Sequence, residues 1–240
     1  AADRAVHDAI AFARCQGHLV VAAAGNRAQN FDDAAGPLWP GAWERERAPS
    51  PEECERKYGF VTRGPKERDD AYAPLLFSVG ANDALDRPLA SARLKARPPL
   101  TAHAHAIATR DTLPNPPELA PISGSSLATA AVSSVAALVW SVKPDLTAAQ
   151  VMQHVYDAGV DLYDGSQGEA DFSLAPGQHA PRRTVRRVSL CRSLMGALGV
   201  ALEKCEDTPK AYGGKDRPIG ELWSVAPSQS GSAYYYAAEE

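Results

Sequence analysis

The spacing of apolar positions in the first 26 residues predicts one helix and one strand. The helix is predicted for residues 2–16, whose apolar positions recur on one face: Ala2, Val6, Ala9, Ile10 and Ala13. Gly17 stands where a helix C-cap is expected. The apolar run 19–24 then ends at Gly25-Asn26. Because this run is short, lacks alternation and follows a helix, it predicts a parallel strand buried on both faces, which is typical of α/β proteins.

The next hundred residues mix irregular and apolar stretches. Residues 31–72 are rich in proline, glycine and charges of both signs, which predicts a long surface loop with an insertion at 42–72. The apolar residues at 75–81 predict a second buried strand. Residues 98–121 hold many prolines and are predicted to be irregular.

Two helices are predicted after Ser123. Gly124-Ser125-Ser126 opens the first, whose expected apolar face consists of Leu127, Ala131, Val135, Leu138, Val139 and Val142. Small residues cover much of the remaining surface of this helix, so we expect it to be packed closely on several sides, and Lys143-Pro144 ends it. Thr147 and Gln150 form a capping box for the second helix, which should run to about Asp157.

The pattern weakens beyond residue 165, which divides the chain into a domain at 1–165 and a C-terminal extension of unassigned role at 166–240. The extension has a leucine stripe with helical spacing: Leu190, Leu194, Leu198 and Leu202. It also has an arginine cluster at 182–187, interpreted as a solvated segment, with a processing site as the alternative.

Composition narrows the function classes. The 240 residues are 45% hydrophobic and 22% charged, with a net charge of −4, which is the balance of a soluble globular protein. A dedicated nucleic-acid binder would show a concentrated basic surplus, so this composition argues against one. No run of 18 apolar residues occurs, and we expect no membrane span.

Four cysteines are present, without the spacing of a zinc site. Two disulfides and four buried thiols both fit an even count, and the disulfides are slightly favoured. If residues 190–205 form one helix, Cys191 and Cys205 lie about 21 Å apart and cannot bridge each other.

Two residues, an asparagine and a serine, have side chains and positions suited to catalysis. Asn26 follows a buried strand, at the carboxyl end where ligands gather in open α/β folds. Ser126 lies at a helix start, beside unpaired backbone N–H groups and the positive end of the helix dipole. Each residue also has an ordinary structural interpretation: Ser126 as a helix N-cap, Asn26 as a turn residue. The two together favour a nucleophile whose attack creates an oxyanion held by an amide and a backbone N–H.

At these two segments the chain resembles the subtilisin-like serine proteases, or subtilases. Their A-A-G-N strand end resembles residues 23–26, and their G-T-S-M-A-(T/S)-P helix start resembles residues 124–130. The resemblance implies that Ser126 is the nucleophile and that the Asn26 side chain forms the oxyanion hole. It further implies substrate binding by Ala23, Ala24, Gly25 and Ser125. The three residues 23–25 would form one wall of the pocket for the substrate side chain before the scissile bond.

The resemblance covers residues 2–163 and implies a three-layer α/β/α fold with a mostly parallel sheet, its N-terminal part missing from this chain. Two departures stand out: Ala130 replaces the proline after the serine motif, and His103-Ala104-His105-Ala106 replaces the A-P-G turn. In the family the catalytic Asp and His precede the Asn, so we expect both upstream of Ala1, in an N-terminal fragment or chain. The histidines of this chain are interpreted as surface or packing residues.

The predicted function is therefore that of a serine endopeptidase acting on peptide or protein substrates. The alternative is a non-catalytic subtilase-like module that binds peptide or protein partners. No cofactor is expected to be required, and structural calcium, common in the family, cannot be placed on a distinctive loop. The usual export of subtilases and the even cysteine count favour a secreted or periplasmic location.

Overall fold

A computed structural model of the chain describes residues 2–27, 36–59, 73–84, 86–89, 91–93, 96, 98–112, 118–162 and 185–205. The α-helices are α1 Ala2–Cys15, α2 Pro51–Tyr58, α3 Ser125–Val142, α4 Ala148–Asp157 and α5 Leu190–Leu198. The strands are β1 Val21–Ala23, β2 Phe77–Asn82, β3 Leu100–His103, β4 Ala108–Thr112, β5 Glu118–Ile122, β6 Val160–Asp161 and β7 Arg186–Arg187. Short 3₁₀ helices span Gly41–Arg45 and Leu202–Lys204.

Five strands form one sheet in the order β1-β2-β3-β7-β6. The pairings of β1 with β2, β2 with β3 and β3 with β7 are parallel, and only β6 and β7 run antiparallel. In register, Val21 lies opposite Phe77, and Val79 lies opposite Leu100. The predicted mostly parallel α/β sheet is confirmed.

Helices cover both faces of this sheet. On one face the main core joins β2 and β3 to α3 and α4, through residues such as Val79, Val132 and Val155. On the other face α1 and the first 3₁₀ helix pack through Ala11 and Trp43. The run 19–24 is divided between the two cores, since Leu19 and Val21 face the first, and Val20 and Ala22 the second. This arrangement confirms three α/β/α layers and a strand covered on both faces.

Helix α3 begins and ends where the sequence predicts, but its buried face is rotated from the predicted one. The buried residues are Ser125, Ala128, Val132, Val135, Ala136 and Val139. Leu138 and Val142, predicted to be core residues, are exposed. The buried side consists of valines and small residues, and the helix contacts β1, β2 and β3. By length and composition alone α3 could cross a membrane, a test that core helices of this kind also meet.

Two stretches predicted to be irregular contain regular structure. Within 31–72, helix α2 begins at a capping box of Ser50 and Glu53, with Pro51 in its first turn. Within 98–121, β3 joins the main sheet, and β4 pairs with β5 in an antiparallel hairpin. The prediction of irregular structure is wrong here because proline does not exclude a strand that begins after it. Pro98 and Pro99 directly precede β3.

Two disulfides link the described residues. Cys15 is bonded to Cys54, which ties α1 to α2, and Cys191 is bonded to Cys205. The two cysteines were expected not to bridge if residues 190–205 formed one helix; that condition does not hold, and their Cα atoms lie 5.8 Å apart. The helix does not continue to residue 205: it ends at Leu198, and Gly199 takes a left-handed conformation with φ +70° that reverses the chain.

Residues 185–205 pack onto the sheet, although they lie in the predicted C-terminal extension. Strand β7 sits between β3 and β6, and α5 packs against α3. Arg186 and Arg187 are not solvated as predicted: Arg186 donates to the carbonyl of Tyr156, and Arg187 pairs with the buried carboxylate of Asp86. Of the leucine stripe, Leu190, Leu198 and Leu202 are exposed, and Leu194 contacts the core. The boundary at 165 and the role of residues 166–184 and 206–240 stay predictions, because 163–184 and 206–240 fall outside the described residues.

Candidate active site

Asn26 is positioned by the end of β1. The N–H of Ala24 still donates to the carbonyl of Val79 on β2, at 2.8 Å, so the backbone is held to the sheet one residue beyond the strand. Gly25 then takes a φ of +98°, which a residue with a side chain rarely adopts, and turns the chain away. Asn26 itself is exposed, in an isolated bridge with Ala92.

Ser126 is positioned by the start of α3. Gly124 is the N-cap residue, and its N–H donates to the carbonyl of Ala104 at 3.1 Å, directly after β3. Ser125 is buried at the first helical position, and Ser126 at the second position is exposed. The hydroxyl of Ser126 has no hydrogen-bond partner among the described residues, so the interpretation of Ser126 as a side-chain N-cap is not what the structure shows.

The two segments meet through the side chain of Asn26. Its Oδ1 accepts a hydrogen bond from the N–H of Ser125 at 3.0 Å and another from the Ser125 hydroxyl at 3.1 Å. A Cβ atom built on Gly124 would lie 2.8 Å from Asn26 Nδ2, and Gly124 has a φ of +151°. Only glycine therefore admits this close approach of the helix start to the asparagine.

Two hydrogen-bond donors at the junction of Asn26 and the start of α3 have no partner among the described residues. Because Ser125 occupies Oδ1 of Asn26, the Nδ2 amide is directed to other partners and has none among the described residues. At the helix start, the N–H groups of Leu127 and Ala128 bond to the Gly124 carbonyl, and that of Ser125 bonds to Asn26. The N–H of Ser126 lacks a partner in the described part of the chain. Unbonded donors of this kind can stabilise an oxyanion that develops within hydrogen-bond distance of both.

None of the described histidines is hydrogen-bonded to Ser126. His7 contacts Glu46 at 2.7 Å and the edge of Trp43, and His154 contacts the Ser193 carbonyl at 2.8 Å. His103 and His105 are exposed on either side of Ala104. Across the described ranges, none of these rings is hydrogen-bonded to Ser126, and His179 lies outside them. Nor do these ranges contain a group of three His, Cys, Asp or Glu side chains placed to hold a metal ion.

The predicted pocket wall, residues 23–25, has a neighbour that sequence reasoning missed. The side chain of Leu38 lies against Gly25, and the Leu38 N–H donates to the Ala24 carbonyl at 3.0 Å. Leu38 falls in the stretch predicted to be a surface loop, where only its position before Trp39-Pro40 could have drawn attention.

The sequence model of the subtilase family matches residues 1–173. The chain belongs to the subtilase family. No curated protein matches it. Among solved structures, the chain is similar to a serine protease, MycP1, described as an essential component of the type VII (ESX-1) secretion system. The identity is 24% and the TM-score 0.46, over 78% of this chain and 46% of that one.

Two further subtilase structures show the same degree of likeness. MycP1 from Mycobacterium smegmatis is 22% identical with a TM-score of 0.48, over 88% of this chain and 49% of that one. The patellamide maturation protease PatA is 21% identical with a TM-score of 0.47, over 82% of this chain and 57% of that one. This subtilase chain thus spans about half the length of the solved relatives it matches.

Proposed function

We propose that the protein is a serine endopeptidase of subtilisin type, in which Ser126 is the nucleophile and Asn26 is a donor of the oxyanion hole. One observation above all supports the proposal. The two bonds from Ser125 occupy the oxygen of the Asn26 amide and hold it at the start of α3, and the Asn26 Nδ2 and the Ser126 N–H have no partner among the described residues.

In the proposed reaction, an imidazole base takes the proton of Ser126 Oγ while Oγ bonds to the carbonyl carbon of a peptide. The carbonyl electron pair moves to its oxygen, which the Asn26 amide and the Ser126 N–H stabilise. The protonated imidazole then gives its proton to the leaving amine, the C–N bond breaks, and water later hydrolyses the acyl-serine. We place the histidine and its carboxylate partner in a segment upstream of Ala1, as the order of the subtilase motifs implies.

The proposed setting is an oxidising compartment outside the cytoplasm, with peptides or proteins as substrates. The disulfides Cys15–Cys54 and Cys191–Cys205 support this setting, since cysteines in reducing compartments are kept as free thiols. The serine mechanism requires no cofactor.

The test labels the complete protein with a serine-directed phosphonate. We expect Ser126→Ala to abolish labelling, whereas Ser134→Ala should not change it. Ser134 is the matched control because it lies exposed on the same helix, where its hydroxyl donates to the Ala130 carbonyl. A label that persists in Ser126→Ala contradicts the assignment of the nucleophile.

Two substitutions of Asn26 separate catalysis from structure. Asn26→Asp keeps an oxygen to accept both bonds from Ser125 but removes the Nδ2 donor, so the fold should persist while kcat falls by about 10²–10³. Asn26→Ala removes acceptor and donor and should also reduce stability, by about 1–3 kcal/mol. If the folded wild-type protein takes no label at all, the proposal fails in favour of a non-catalytic module that binds peptides.

A further inference from the structure

His103 and His105 lie on one side of an extended segment at the end of β3. The N–H of Ala104 donates to the Asn82 carbonyl at 2.9 Å, and the Ala104 carbonyl accepts from the Gly124 N–H at 3.1 Å. The backbone at Ala104 therefore continues the direction of the strand. Ala104 is 0% exposed, whereas both histidines are exposed. Because side chains alternate between the two faces of an extended backbone, the two imidazole groups share the solvent-facing side.

The backbone that bears the two histidines is fixed on both sides of His105. On one side is the bond between Ala104 and Gly124, and on the other the Ala106 N–H donates to the Ser123 hydroxyl at 2.8 Å. Ala106 has a φ of +52°, which a residue with a side chain rarely adopts. These anchors hold the segment beside the residues that precede Ser126, and a ligand would not have to order it on binding.

The spacing of the two histidines suits a metal ion. Residues two apart on an extended backbone are separated by about 6.5 Å. An imidazole ring extends from its Cβ by more than half of this distance, so one nitrogen of each ring can approach a common ion to about 2.0–2.1 Å, the length of a zinc–imidazole bond. Imidazole suits Zn²⁺, Ni²⁺ and Cu²⁺, whereas Mg²⁺ and Ca²⁺ prefer oxygen ligands. Neither ring has a hydrogen-bond partner among the described residues that would compete with the ion.

We propose that His103 and His105 together bind one Zn²⁺ ion on the surface beside the start of α3. The two rings supply two of the four ligands of a tetrahedral site, and water fills the other two positions. The site is thus an open surface chelate and not a closed structural centre. The inference is independent of the proposed function, because it depends only on the two imidazole groups and the extended backbone between them. The subtilase motif has A-P-G at this turn, so the histidine pair is a feature of this chain.

The test is a calorimetric titration of the full chain with Zn²⁺ alone, and a parallel titration with Mg²⁺ should show no binding. His103→Gln and His105→Gln each keep a polar side chain but remove one ligand. Each should raise the dissociation constant for Zn²⁺ by about 10²-fold, since two linked ligands bind at least that much more tightly than one. His18→Gln is the matched control, because His18 is exposed and has no second histidine two positions away, and it should leave the dissociation constant unchanged.

The stoichiometry distinguishes a shared ion from two separate ones. If each substitution removes one bound ion and leaves the dissociation constant of the other unchanged, the two rings bind separately and the proposed chelate is wrong. A wild-type chain that does not bind Zn²⁺, or one whose affinity is the same in both variants, also overturns it. Because both histidines are exposed, the variants should remain folded, which equilibrium unfolding in urea verifies.

Discussion

Replacing Gly124 with alanine should disrupt the junction between Asn26 and helix α3. The new Cβ would lie 2.8 Å from Asn26 Nδ2 and 3.5 Å from both Cγ and Oδ1, so the amide must move. With φ +151° and ψ 164°, the backbone at this N-cap is also in a region that is essentially restricted to glycine. The substitution thus combines backbone strain with the displacement of a side chain that accepts two hydrogen bonds.

The magnitude follows from these two contributions. Residues held in such a region cost about 1–3 kcal/mol, and each of the two bonds from Ser125 to Asn26 contributes about 0.5–1.5 kcal/mol. We expect Gly124→Ala to lower the free energy of unfolding by about 2–6 kcal/mol. Because the Asn26 amide leaves its place, phosphonate labelling should also slow by about 10²–10³.

Gly199→Ala provides the control. Gly199 also has a positive φ, +70°, but a Cβ atom there would have no neighbour within 4 Å. It therefore measures backbone strain alone, and should cost about 1–2 kcal/mol without slowing the labelling. The assays are equilibrium unfolding in urea and the rate of phosphonate labelling. If Gly124→Ala is no less stable than Gly199→Ala and labels at the wild-type rate, the close approach to Asn26 does not determine the site.

Two further predictions concern α1. The double substitution Cys15→Ser/Cys54→Ser opens a link that spans 39 residues, and should lower the free energy of unfolding in urea by about 4 kcal/mol. A loss below about 1 kcal/mol would refute this loop-closure reasoning. The pKa of Asp8 lies below its ordinary value, mainly because the Asp8 carboxylate accepts a hydrogen bond from Lys57. Stability from this pair is therefore present above the ordinary carboxyl pKa and is lost as acid protonates Asp8 through the lowered pKa. Lys57→Met should raise the Asp8 pKa in an NMR titration, and an unchanged value contradicts the pairing.

Local signals were enough to predict several elements. The capping box of Thr147 and Gln150 forms as expected, with α4 ending at Asp157. The apolar runs around Val21 and Val79 are parallel neighbours, as expected of runs without alternation. The placement of Asn26 at a strand carboxyl end, where ligands bind in open α/β sheets, was also predictable, whereas its bond to Ser125 was not.

Long-range contacts account for what the sequence did not reveal. Two adjacent arginines suggested a solvated segment, yet Arg187 reaches Asp86 across the sheet, and Arg186 lies over the ring of Tyr156. No pattern near residue 186 indicates these partners. The leucine spacing suggested one long helix, and Gly199 overrides it by a local backbone conformation. The contact between Leu38 and Gly25 was not predicted for a similar reason. It depends on how the chain after Gly36 folds back onto the end of β1.

The groups that hold Asn26 and Ser126 in place all belong to this chain. Asn26 is held by the Ser125 N–H and hydroxyl, and the helix start is held by the bond from Gly124 to the Ala104 carbonyl after β3. The proposed nucleophile and oxyanion donor are therefore brought together by β1, β3 and α3, without contact with a base among the described residues. A base would then set how often Ser126 is deprotonated, whereas the Asn26 amide sets how well the resulting oxyanion is stabilised. For this reason the loss caused by Asn26→Ala, which adds no ionisable group, should be the same fraction of the labelling rate at every pH at which the protein is folded.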